Sequence, residues 1–467
     1  MRQYHLEEFG GCGDGLFDNS EVFANAFSAI SGGGTLIIPT GTFRTGPLHL
    51  TAVGCTIHFE AGAALSFIAE AERYRPVYSR WEGVDCWVMH PLFLVTDSTD
   101  VTLEGPGLLD GNGAWWWEEL QKKRGTQRTP ESAIERELAA LNPGYRSQGG
   151  GGGGRQIQFL RPPLLQIYKS SNIVIDGLTL ANSPFWTLHP LYSRHLLIKN
   201  LTIENPSDAP NTDGIDIESC AHVVVRHCTV SVGDDGIALK SGSGKEGIAN
   251  GVATHDILIE HCTVKRAHGG AVIGSETAAG ISNITVRDCL FDGTDRGIRI
   301  KTRRGRGGRI ENLTFTQLTM RDNLCPLAIN MYYRCGSQDA SAFLLDAQPV
   351  VETTPSIGKI RIEGCRATGV RASAAFIVGL PEAPVTDLLI KDCHLGLASS
   401  ALVDIDESEM YEGLPPIEGR GIRVRNAHLR LEGVTVDGVT EPVVLEEGGV
   451  LSGPEETVDQ GASFFEA

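Results

Sequence analysis

The chain predicts a right-handed, single-stranded parallel β-helix, an all-β solenoid with a short N-terminal capping helix. One observation is a nine-residue phrase that recurs: polar, apolar, any, apolar, polar, polar, Cys or Leu, any, apolar. It reads NIVIDGLTL from Asn172, HLLIKNLTI from His195, HVVVRHCTV from His222 and DILIEHCTV from Asp256, then NITVRDCLF from Asn283 and NLTFTQLTM from Asn312. It returns as KIRIEGCRA from Lys359, DLLIKDCHL from Asp387 and HLRLEGVTV from His428. The alternation within each copy has period two, so each copy reads as a strand with one buried face, and the recurrence itself marks a solenoid. No helical periodicity separates the copies, which argues against βαβ units. The other observation is an offset. Asp235, Gly269, Arg296 and Cys325 each lie 13 residues after the start of their phrase, so a second strand steps in time with the first. Asp213 lies 18 residues after His195, and the difference matches the turn-rich Asn205 to Pro210.

The elements follow in order. Residues 1–50 read as a cap: Asp18-Asn19-Ser20 offers a helix start, and Val22, Phe23, Ala26, Phe27 and Ile30 recur at helical spacing. Such a helix covers the open strand edge at the end of a solenoid. Gly32-Gly33-Gly34 ends it and Thr35 to Pro39 begins the first strand. Residues 112–163 interrupt the coils with Trp115-Trp116-Trp117, a charged helix from about Glu131 to Leu141, and a glycine run from Gly149 to Gly154. Loops of this length are commonly functional or disordered; the tryptophans suit anchoring the insertion or stacking on sugar rings. From about 440 to 467 the chain turns acidic and loses the phrase, as a fraying tail would. The length of 467 residues would suggest several domains, but a solenoid buries its core coil by coil, so a single domain is expected.

A formal net charge of −18 disfavours nucleic acid and anionic membranes as partners. Against it stands a local basic run, Arg296, Arg299, Lys301, Arg303, Arg304, Arg306 and Arg309, which suits an anionic substrate. The 11 cysteines show neither zinc spacing nor a compact disulfide framework. Cys228, Cys262, Cys289, Cys365 and Cys393 share one phrase position and read as a buried thiol ladder. The first residues lack the apolar core of a signal peptide and no transmembrane run follows, so the expected location is the cytoplasm. Oligomeric state stays open.

Aligning the second strands puts Asp213 and Asp235 in one column, with Asp234 and His268 in the column beside it. Ile215, Ile237, Ala271 and Ile298 form an inward column, and Ile217, Leu239, Ile273 and Ile300 another, leaving Asp216, Lys240, Arg299 and Lys301 to project outward. Three carboxylates on neighbouring coils, ~4.8 Å apart, cannot all ionise freely, since like charges raise at least one pKa. One proton donor beside one or two carboxylate bases is the equipment of glycosidic hydrolysis. His268 is placed to hold or tune the acid, and Arg299 and Lys301 to grip a sugar carboxylate. Clustered aspartate oxygens also suit calcium, which a β-helix lyase would use; His268 is a poor ligand for it. No cofactor is expected.

Asn211-Thr212-Asp213, Gly233-Asp234-Asp235, His268-Gly269 and Arg299-Ile300-Lys301, in this order, resemble the signatures of the polygalacturonase family of glycoside hydrolases, pectin-degrading parallel β-helix enzymes. The resemblance covers most of the chain. It implies Asp234 as general acid, Asp213 and Asp235 as activators of the attacking water, His268 as support for the acid, and Arg299 with Lys301 on a galacturonate carboxylate. Asn211, Lys240 and Tyr333 join them as substrate-binding candidates. The family inverts the anomeric centre, whereas carboxylates near ~5 Å suit retention and inversion usually needs ~6.5–9.5 Å. The long insertion is similar to those of bacterial exo-acting members, so the expected activity is exo-hydrolysis of α-1,4-galacturonosyl linkages releasing galacturonate. The alternatives are another pectin-backbone hydrolase, for rhamnogalacturonan or unsaturated galacturonides, a calcium-dependent lyase, or a non-catalytic sugar-binding β-helix.

Overall fold

The computed structural model describes residues 2–123, 130–145, 161–337, 339–453 and 458–459. It is a parallel β-helix, and its chain divides into two compact units, Met1–Asp234 and Asp235–Ala467. In each unit consecutive coils add strands in parallel to three sheets. In the first unit one sheet runs through Thr99–Glu104, Ser171–Asp176, Arg194–Lys199 and Ala221–Arg226. In the second unit the corresponding run is Thr254–Glu260, Ile281–Arg287, Arg309–Thr316 and Ser356–Glu363.

The nine-residue phrase, read above as one strand, is two. Ala221–Arg226 is followed by Thr229–Ser231, and Ile281–Arg287 by Leu290–Asp292, each pair meeting at a corner. The corner residue is the sixth of the phrase and has left-handed backbone: φ is 54° at His227, 52° at His261, 53° at Asp288 and 54° at Gln317. The first residue of the phrase is left-handed too, at 57° for His222, Asp256 and Asn283. Asn, Asp and His tolerate this region far better than apolar residues do, so the polar letters at these positions record backbone geometry as well as solvent exposure. The seventh residue then turns inward. Its thiol satisfies a main-chain carbonyl freed by the corner: Cys262 Sγ donates to Glu260 O at 3.3 Å and Cys289 Sγ to Arg287 O at 3.2 Å. The cysteines are held as thiols.

The apolar columns lie where the alignment put them. In the second unit Ile237, Ala271 and Ile298 are in register, as are Leu239, Ile273 and Ile300, all buried. The capping helix is Ser20–Ile30 and buries Val22, Phe23, Ala26, Phe27 and Ile30. Asn19 does not cap it; its amide bridges the main chains of Cys12, Phe17 and Arg44 instead. The tail does not lose the coil at 440: Val443–Leu445 pairs with the strand Ile422–Arg425, and Gly449–Ser452 with Ala427–Glu432. The phrase is gone there, yet β-branched residues still extend the sheets.

In the insertion, helices Ala114–Lys123 and Ala133–Leu141 form, the second started by a reciprocal Ser132–Glu135 capping box. Two tryptophans anchor: Trp116 packs edge-on against Tyr74 with centroids 5.6 Å apart, and Trp117 Nε1 donates to Ser183 O at 3.1 Å. The glycine run 149–154 lies outside the described residues. An antiparallel hairpin, Pro76–Trp81 with Val84–Met89, was not anticipated. Asn142, at the end of the second helix, donates to Trp87 O at 2.9 Å and accepts from Trp87 N at 3.0 Å, which ties hairpin and insertion together.

Candidate active site

In the first unit the longer turn before Asp213 folds onto the next coil. Asn205 accepts from Ser183 N at 2.7 Å and donates to Thr187 Oγ1 at 2.9 Å. Thr212 Oγ1 donates to Ala209 O at 3.0 Å and accepts from Gly233 N at 3.2 Å. Gly233 is required here, because a Cβ on it would lie 2.4 Å from Ala209 O. Asp213 is buried and its carbonyl accepts from Thr187 N at 2.8 Å; Asp234 is half-buried. Asn211 has φ 53°, and its side-chain oxygen accepts from Arg161 Nη2 at 2.7 Å. Arg161 also donates to the carbonyls of Pro184 and Pro210 and lies over the Phe185 ring.

The outward face of this unit is covered by the hairpin. Arg80 donates to Glu218 Oε1 at 3.1 Å, to Ser219 Oγ at 2.9 Å, to Asp85 Oδ1 at 2.7 Å and to the Tyr192 hydroxyl. His189 sits between Gln166, at 3.0 Å, and the other oxygen of Glu218, at 3.2 Å. Asp216, expected to project outward, is buried, as is Glu218, which the hairpin covers through Arg80.

In the second unit the strands Asp235–Lys240, Gly269–Gly274 and Arg296–Lys301 lie side by side. Asp235 is gripped from two strands away: Lys301 Nζ donates to Oδ2 at 2.5 Å and Arg299 Nη1 to Oδ1 at 3.2 Å. Two strand spacings, ~10 Å, are spanned by these long side chains because Gly269 lies between; a Cβ on it would already touch Arg299 at 3.4 Å. A second glycine column opens the strand entries. A Cβ on Gly236, Gly270 or Gly297 would meet Val264 at 2.5 Å, Phe291 at 2.4 Å or Met320 at 2.2 Å. Burial opposes charge on Asp235, but Lys301, Arg299 and Lys240 override it and hold the carboxyl well below the ordinary carboxylate range.

Arg299 and Lys301 are on the expected face yet covered, Arg299 being 1% exposed. The cover is a strap around residues 405–412. Glu409 takes Arg299 Nε at 3.0 Å and Nη2 at 2.8 Å, while Arg296 donates to the carbonyls of Ser408 and Glu407 at 2.9 and 2.7 Å. Tyr333 is buried, with Arg299 and Lys301 5.5 and 5.2 Å from its ring centroid. Lys240 is also buried. His268, its side chain 49% exposed, pairs with Asp295 at 2.7 Å. Burial raises the Asp295 carboxyl, and the His268 hydrogen bond and Arg296 outweigh it, for a net lowering.

Two groups escaped the sequence reading. Asp295 was legible: it follows its phrase by 12 residues, as Asp234 and His268 do. Glu409 was not, since it lies outside every repeat.

The sequence profile of Glycosyl hydrolases family 28 matches residues 152–346. A probable polygalacturonase of Vitis vinifera is 31% identical over 408 residues, spanning 85% of this chain and 74% of that protein. An endo-polygalacturonase of Pectobacterium carotovorum subsp. carotovorum is 28% identical over 303 residues, 63% of this chain and 66% of that one. The crystal structure of a hyperthermoactive exopolygalacturonase from Thermotoga maritima is similar with a TM-score of 0.75 at 29% identity, over 93% of this chain and 91% of that one. The chain belongs to glycosyl hydrolase family 28.

Proposed function

We propose that this glycoside hydrolase cleaves α-1,4-galacturonosyl linkages from a chain end, releasing galacturonate with inversion. Asp234 gives its proton to the leaving oxygen. Asp213 and Asp235 share the attacking water, and His268, oriented by Asp295, supports the acid. Lys301 and Arg299, with Lys240, supply the positive surroundings for a galacturonate carboxylate, the Tyr333 ring lies beside the two cations, and Asn211 shapes the turn that carries Asp213. The observation that carries the acid and base assignment is the contrast between neighbours. Asp235 is buried and clamped by Lys301 and Arg299, which keeps it a carboxylate, whereas Asp234 is half-buried and reachable.

Exo action draws its support from the hairpin Pro76–Trp81 and Val84–Met89, whose Arg80 reaches the outer face of the strand Ile215–Glu218. A wall there stops a long polymer from running through. The 29% identical Thermotoga maritima relative is itself an exopolygalacturonase.

The test is time-resolved product analysis on a defined galacturonate oligomer, with and without a chelator, following the anomeric proton of the first product by NMR. Monogalacturonate from the earliest times, as the β-anomer and insensitive to chelator, is expected. Early mid-sized fragments would overturn exo action, an α-anomer would overturn inversion, and a chelator-sensitive unsaturated product would make the enzyme a lyase.

A further inference from the structure

We infer that Glu409 is a positioning residue of the hydrolytic site, acting through Arg299 to hold the Asp235 carboxylate in one orientation. The inference rests on the reading of Asp235 as part of the acid/base set. Glu409 spends one oxygen on Arg299 Nε and the other on Nη2, in the bidentate fork that fixes a guanidinium plane. That leaves Nη1 directed at Asp235 Oδ1, while Lys301 occupies Oδ2. With each oxygen of the carboxylate held by one of these donors, the orientation of its plane follows from where Arg299 points.

Charge gives a second reason. Arg296, Arg299 and Lys301 are all buried, and Asp235 together with Asp295, 3.3 Å from Arg296 Nη1, supplies only two negative charges. Glu409 adds the missing negative charge, with Arg296 Nε 3.9 Å from Oε2. It is itself well held. Met410 N donates to Oε1 at 2.7 Å, Asn330 donates to Met410 O at 3.0 Å, and Ser373 Oγ lies 2.7 Å from Ser408 Oγ. The strap therefore carries a fixed anion to a point 110 residues distant in sequence.

The experiment is a double-mutant cycle on trigalacturonate with the full chain: wild type, E409Q, E409D, R299Q and E409Q/R299Q, with D235N alongside and thermal melts on each. Gln keeps the shape but offers one acceptor; Asp keeps the charge but is too short for both bonds. Expected is a loss of roughly 10–10²-fold in kcat for E409Q, the scale of a small misplacement of a catalytic group, with KM near the wild-type value. E409D should fall between, and the double variant should be no worse than R299Q, because residues acting through one another are non-additive. A purely structural strap would lower the melting temperature and give additive losses. Wild-type kcat in folded E409D, or additive losses in the cycle, would overturn the inference. Wild-type turnover in D235N would instead sink the reading of Asp235 on which it rests.

Discussion

Asp234 and Asp235 show how far one peptide bond separates two environments. The second is enclosed by cations and the first is half-buried. Asp234→Asn is expected to lower kcat by ~10²–10⁴-fold, the usual cost of a lost general acid, while oligomer binding measured by calorimetry is retained. Near-wild-type turnover would remove Asp234 from its role. At the same scale, the polar letters of the phrase proved to be conformational. His227 sits at φ 54°, so His227→Val should destabilise by about 1 kcal/mol in urea unfolding, because branching at Cβ adds crowding that left-handed backbone tolerates poorly, and His227→Gly should not. Equal effects of the two would show that ring contacts, not backbone, select the residue. The alternation that buries Ile237 and Leu239 was readable from sequence; the corner between the two strands of a phrase was not, because Asn, Asp and His serve turns and surfaces alike.

Short regular strands make the walls, and two irregular elements cover them. The hairpin Pro76–Met89 is braced by Asn142 and locked by Arg80 onto Glu218, a partner 138 residues away. If it limits the substrate to chain ends, replacing residues 77–88 with a short glycine linker should shift early products from monogalacturonate toward mid-sized fragments. Unchanged products from a folded variant would put the exo determinant elsewhere. The helix Ala133–Leu141 was expected from its pattern, within two residues at its start. The hairpin was not, since its strands carry no phrase and owe their position to contacts with the wall beneath.

Across the whole molecule the buried ion network sets the response to acid. Glu409 is raised by burial and pulled down by Arg299 and Arg296 to about 2, and Asp235 and Asp295 are lowered as well. A carboxylate with a depressed folded-state pKa stabilises fully above its unfolded value, ~4, and loses that contribution as pH falls through the folded value. The urea midpoint should therefore hold from pH 7 to about 5 and drop steeply between about pH 4 and 2, with a shallower drop in E409Q. A midpoint flat to pH 2 would contradict the network. By itself the sequence determined the coil and, within the second unit, the register that sets Asp235, Gly269, Arg299 and Lys301 on neighbouring strands, because stacking of parallel strands is periodic and periodicity is written in residue order. Only the tertiary structure decided what lies over the coils. The Arg80 hairpin and the Glu409 strap follow no period, and their side chains meet the wall through contacts 138 and 110 residues apart, which no local pattern encodes.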